Sequence, residues 1–160
     1  MTRFSALPRF LAAGLAMAGF VWLGAIKADV DPKVAALATL STLKWVENPN
    51  GVSASVVLTG DPAKEGQYVQ FLKWHPRHNS LPHMHQNDRF ITVLSGTWWV
   101  GTGTHYDMES TVPVKAGSVI VHYGKQWHYD GAKDEECVLE IVGMGPATSI
   151  LFDKNAPQYH

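Results

Sequence analysis

Residues 82–96 read Pro82-His83-Met84-His85-Gln86-Asn87-Asp88-Arg89-Phe90-Ile91-Thr92-Val93-Leu94-Ser95-Gly96. In extended backbone the side chains at i and i+2 share a face, so His83 and His85 point the same way and suit one metal ion approached from one side. Pro82 has no N–H to give to a ladder and fits a strand entry or an edge. Phe90 to Leu94 reads as a strand that ends in a tight Ser95-Gly96 turn, and Thr97 to Val100 resumes it. On spacing alone a His-x-His is a weak signal, because two exposed histidines on a polar loop look the same. What surrounds it has to decide.

Outward from this stretch the chain keeps a β character. Val52 to Thr59, Tyr68 to Trp74, Thr111 to Val114, Ser118 to His122 and Cys137 to Val142 are short, apolar or β-branched runs. Val69, Phe71 and Lys73 fall on one face of theirs. Gly60-Asp61-Pro62, Gly101-Thr102-Gly103, Ala116-Gly117 and Gly143-Met144-Gly145-Pro146 punctuate them. Strands at this spacing predict an all-β antiparallel sandwich or barrel. Upstream, Asp31 and Pro32 suit the cap and first position of a short helix carrying Val34, Leu37 and Leu40.

The 160 residues allow one domain, and 46% apolar against 17% charged residues gives enough material for a core. A net charge of −1 argues against a broad nucleic-acid footprint or a polybasic membrane surface. The single cysteine, Cys137, excludes an intrachain disulfide framework and every cysteine-cluster zinc site. Any metal chemistry must therefore use imidazole, from His75, His78, His83, His85, His105, His122, His128 or His160. Cys137 lies in a run that reads as a buried strand, where a thiol behaves as a small hydrophobe. Phosphate-loop, dinucleotide, nucleophile-elbow and His-Glu-x-x-His signatures are absent from the sequence.

Residues 1–28 read as an export signal: Arg3 and Arg9, then the uncharged run Phe10 to Ile26, then Ile26-Lys27-Ala28 as cleavage site, with Ala25 as a second candidate. An uncleaved anchor is the alternative, the run being at the lower length limit for a span. Removing Arg3, Arg9 and Lys27 leaves ten basic residues against 14 acidic ones. The expected organisation is a signal over 1–28, an extension with the first strands over 29–66, and the barrel over 67–160, in a periplasmic or secreted protein.

The two histidine stretches together resemble the cupin superfamily. In its first motif a His-x-His is followed four positions later by an acid and then by a Gly, as in residues 82–96; in its second a Gly, a short strand and a turn lead to a third ligand histidine, as in Gly117-Ser118-Val119-Ile120-Val121-His122-Tyr123-Gly124-Lys125-Gln126-Trp127-His128. The resemblance covers about residues 67–145 and is to small bacterial single-domain cupins. It implies a jelly-roll β-barrel with one divalent metal (Fe, Mn, Zn, Ni or Cu) held by His83, His85 and His128, and a homodimer as the default assembly.

Two positions depart from the pattern. Arg89 stands where the motif carries a ligand glutamate, and a guanidinium cannot ligate a metal. Asp88 is adjacent but has the wrong strand parity, so only a bulge turns it inward. The usual Pro-x-Gly turn is Tyr123-Gly124-Lys125, with Gly124 keeping the turn in a shifted register. If Arg89 faces inward, it adds positive charge and favours an anionic substrate; outward, it pairs with an acid. His122 has three readings: a fourth ligand in place of the carboxylate, a residue that supports the ligands or acts as a base, or a satisfied strand-end imidazole. Tyr123 offers a phenol. Trp98 and Trp127 are candidates for an aromatic pocket wall, and barrel core or rim is their bland alternative. His75, His78 and His105 read as loop or surface residues.

These readings point to an exported, metal-dependent cupin enzyme, in its most concrete form a dioxygenase-type oxidoreductase of a small anionic or phenolic substrate, with Arg89, His122 and Tyr123 as the catalytic candidates. The same site suits an isomerase or lyase. The rival from another class is a periplasmic cupin that binds or senses a metal or small ligand without turnover.

Overall fold

The computed structural model describes residues 30–156, apart from 32, 36 and 50. The export signal over 1–28 and His160 lie outside the described residues. Among these the strands are β1 (Val46–Glu47), β2 (Ser53–Thr59), β3 (Gly66–Trp74), β4 (His78–Asn79), β5 (His83–Met84), β6 (Arg89–Ser95), β7 (Thr97–Thr102), β8 (Val112–Lys115), β9 (Val119–His122), β10 (His128–Ala132), β11 (Cys137–Gly145) and β12 (Ile150–Leu151). All of them fall in the compact unit that starts at Ala38.

They pair antiparallel into two sheets, one ordered β1-β2-β3-β11-β6-β9 and the other β12-β5-β10-β7-β8, with β4 also on β10. Neighbours far apart in sequence pair in both, which makes the jelly roll. Sheet residues from both sides share one core: Tyr68 and Trp74 of β3, Ile91 and Val93 of β6, Trp98 and Val100 of β7, Leu139 and Ile141 of β11. Strand alternation sets the parity. On β3, Gln70, Leu72 and Trp74 line the space between the sheets, while Lys73 lies against the Trp45 ring and Glu136 on the other face. Val69, Phe71 and Lys73 thus share a face as expected, and it is the outer one.

Three elements differ from the sequence reading. No helix starts at Asp31. Its carbonyl accepts the Val34 and Ala35 N–H groups and its Oδ1 the Lys33 N–H, which closes a single turn. Val34 and Leu37 are exposed, so no buried apolar stripe drives a helix onward. The division at 66/67 does not mark the barrel's edge: β2 is hydrogen-bonded along β3 in the same sheet. Lastly, β10 carries no sequence signal because Asp130 and Gly131 sit mid-strand. Gly131 is required there, since a Cβ would collide with the His78 carbonyl oxygen of β4.

Candidate metal centre

The register of β5 on β10 sets His83 directly opposite His128. That of β6 on β9 sets Arg89 opposite His122. One sheet therefore brings two imidazoles, the other brings a guanidinium and a third imidazole, and the sheets face each other. His85, one residue beyond β5, is fixed through its carbonyl, which accepts the Lys125 N–H at 2.6 Å. The ring centroids of His83 and His85 are 4.9 Å apart, those of His83 and His128 4.4 Å, and those of His122 and His128 4.0 Å.

Hydrogen bonds decide the tautomers. A carbonyl only accepts, so His83 Nδ1–H donates to Leu81 O at 2.8 Å and His128 Nδ1–H to Gln126 O at 3.0 Å. Their lone pairs are then on Nε2. Neither ring nitrogen of His85 has a well-formed hydrogen bond. Donor atoms of His83, His85 and His128 lie within 4.8 Å of one another, and all three residues are buried. Burial pushes the His85 imidazole down to about 2 and that of His128 to about 4, with Arg89 and neighbouring histidines adding to both; His83 is lowered by burial too. Three neutral imidazoles, two of them oriented by backbone carbonyls, are a donor set that fits a divalent metal.

Arg89 points inward and is buried. Its Nη2 donates to His122 Nδ1 and to His128 Nε2, each at 3.4 Å, while its Nε–H has no partner. His122 is lowered to about 3, chiefly by burial. Asp130, on the same face of β10 as His128, is buried here as well, and its donor atoms with those of His122 and His128 form a second group within 4.8 Å. Asp130 counters the burial penalty on Arg89, His83, His122 and His128. The sequence reading missed it, although the same i, i+2 parity that marks His83 and His85 marks His128 and Asp130 once β10 is known to be a strand. D130N should lower the urea midpoint, because the buried guanidinium loses an opposite charge near it. R89M/D130N should recover most of that, whereas an undiminished loss in the double variant would show that the two charges are not coupled.

A cavity of about 400 Å³ opens on this cluster, with His83, His85, Arg89, Asp130, Trp74 and Trp98 in its wall. The indole N–H groups of Trp74 and Trp98 are buried without partners. Several sequence expectations are corrected here. Trp127 has the opposite parity to His128, and it packs edge-on against Phe152 at 5.3 Å, away from the cavity. Tyr123 is 65% exposed in the turn after β9 and reaches no part of the cluster. His122 is not on the cavity wall; it holds Arg89. Asp88 accepts the Gly124 N–H at 2.7 Å and so braces the turn instead of joining the ligands. In that turn the left-handed residue is Lys125 (φ 62), while Gly124 is needed because a Cβ would lie 2.5 Å from the Gln86 carbonyl oxygen. His75 pairs with Glu47, and His78 with the Pro76 carbonyl, outside the site. His105 is exposed. Burial raises the Cys137 thiol to about 12, which leaves it inert.

No protein-family model matches the sequence, and neither does any curated protein. Solved structures do. A cupin-2 domain protein from Rhodospirillum rubrum is 16% identical, with a TM-score of 0.52 over 64% of this chain and 67% of that one. This chain has the cupin fold. Among other structures of similar fold, the polyketide cyclase RemF from Streptomyces resistomycificus is 17% identical, with a TM-score of 0.59 over 76% of this chain and 89% of that one. The DMSP lyase DddQ from Ruegeria pomeroyi is 13% identical, with a TM-score of 0.57 over 73% of this chain and 64% of that one. In this fold the histidine cluster occupies the space between the two sheets, and its donor set suits a divalent ion.

Proposed function

We propose that this chain is a metal-dependent cupin enzyme that takes a small anionic or phenolic substrate into its barrel, in its most concrete form a dioxygenase-type oxidoreductase working after export. The observation that supports it is the meeting of three buried, neutral imidazoles with an inward arginine, with His83, His85 and Arg89 on the wall of one cavity. A divalent ion on His83, His85 and His128 supplies Lewis acidity and, when it is iron, copper or manganese, a way to activate oxygen.

The chain's own residues do the rest. The free Nε–H of Arg89 offers a charged donor to a carboxylate, enolate or phenolate. The indole N–H groups of Trp74 and Trp98 add neutral donors in a wall that mixes aliphatic and polar side chains. His122 accepts from Arg89 at Nδ1 and so carries its proton on Nε2, which makes it a positioning residue for the guanidinium. Leu72, Ile91, Leu139 and Ile141 give the same wall an apolar stretch against which an aromatic or aliphatic part of the substrate can pack. Export rests on the charged start, apolar run and small-residue end of residues 1–28.

Oxygen uptake by the purified protein, loaded in turn with Fe(II), Mn(II), Cu(II) and Zn(II) and offered small carboxylates and phenols, tests the reading. Uptake is expected with a redox-active ion and is expected to drop strongly in R89Q. A second reading, lyase or cyclase chemistry, is favoured by two proteins of similar fold, a DMSP lyase and a polyketide cyclase. Turnover with zinc and no oxygen uptake with any ion would establish it over the first.

A further inference from the structure

His128 has one lone pair to give and two groups that want it. Its Nδ1 proton is committed to Gln126 O, so only Nε2 can accept or ligate, and Arg89 Nη2 already donates to that atom at 3.4 Å. The same Nη2 donates to His122 Nδ1 at 3.4 Å. The second donor group, His122 with His128 and Asp130, therefore has a resident cation: it seats the Arg89 guanidinium. The first group, His83 with His85 and His128, shares His128 with it.

We infer that Arg89 and a metal ion exclude each other at His128, and that a small carboxylate which draws Arg89 into the cavity opens the centre to metal. Charge points the same way, because a divalent ion beside a buried guanidinium is like against like. Three features make the release workable. Bonds of 3.4 Å are long and weak for nitrogen donors. Arg89 is on the cavity wall, and its Nε–H is buried without a partner. A carboxylate matches the guanidinium fork with two parallel hydrogen bonds and replaces two long ones. The consequence is positive linkage: anion and metal each tighten the other's binding by the same factor. The metal would then load together with the anion instead of ahead of it.

The inference rests on His83, His85 and His128 being the ligands, and its test separates the two claims. Metal-free protein is titrated with Co(II) by calorimetry, with and without benzoate. Wild type should bind Co(II) about tenfold more tightly, or better, in benzoate, and benzoate should tighten by the same factor in Co(II). R89Q should bind Co(II) without benzoate as tightly as wild type does with it, and benzoate should add nothing. Equal Co(II) affinity of wild type with and without benzoate overturns the linkage and leaves the ligand assignment standing. A benzoate effect that survives in R89Q also overturns it, since the anion would then act on the metal directly. Absence of Co(II) binding in both proteins overturns the ligand assignment, and the linkage with it.

Discussion

Lowering the pH from 7 towards 4.5 will unfold the metal-free protein. His85, His122 and His128 are neutral in the folded state down to about 2, 3 and 4, whereas in an unfolded chain each takes up a proton near 6.5. The stability they allow is fully present above about pH 6.5. Below that the unfolded chain binds protons the folded one refuses, so stability falls with falling pH until the folded values are reached. Each such imidazole costs roughly 1 kcal/mol or more per pH unit across that window, and three acting together approach the roughly 5–15 kcal/mol of stability typical of a domain. Urea midpoints measured between pH 7.5 and 4.5 check this. H85Q removes the most depressed of the three and should make the slope shallower by about one proton. A stability that stays flat to pH 4.5 would mean the imidazoles are open to water. Bound metal should steepen the loss, because the ligands must be deprotonated to hold it.

The second large effect concerns His128. H128A should weaken divalent metal binding by about a hundredfold or more, the upper range for losing even an outer partner of a ligand. H122A is the control. His122 also lies in a group of possible donors, with His128 and Asp130, but Arg89 occupies that group. H122A should therefore change metal affinity by no more than a few-fold, and equilibrium dialysis separates the two. If H122A matches the loss in H128A, the ion sits in the second group and His83 and His85 are not its ligands.

Much of this site is legible in the sequence because strand parity is legible. His83 and His85 share a face by spacing, and Trp98 and Trp99 divide between inside and outside, with Trp98 on the cavity wall. Arg89 follows the same rule: four residues on from His85, it falls on the inner side of β6. The rest depends on pairings between distant strands. Nothing local to residues 83 or 128 says that they stand opposite each other, because long connections bring β5 and β10 together. Asp130 stayed hidden for a local reason. Mid-strand Asp-Gly reads as a turn, and the close approach of β4 that demands Gly131 is a tertiary fact. Tyr123 and Trp127 mislead for the opposite reason: each adjoins a histidine of the site in sequence, His122 and His128, but adjacency along a strand or turn sends side chains apart.

The central claim is that His83, His85 and His128 hold one divalent ion. Metal content of the purified protein, measured beside H83A and H128A after anaerobic reconstitution, tests it most directly. The expected result is about one equivalent in wild type and a loss in both variants, as a three-histidine centre requires. Wild type without metal, or variants that keep a full equivalent, would contradict it.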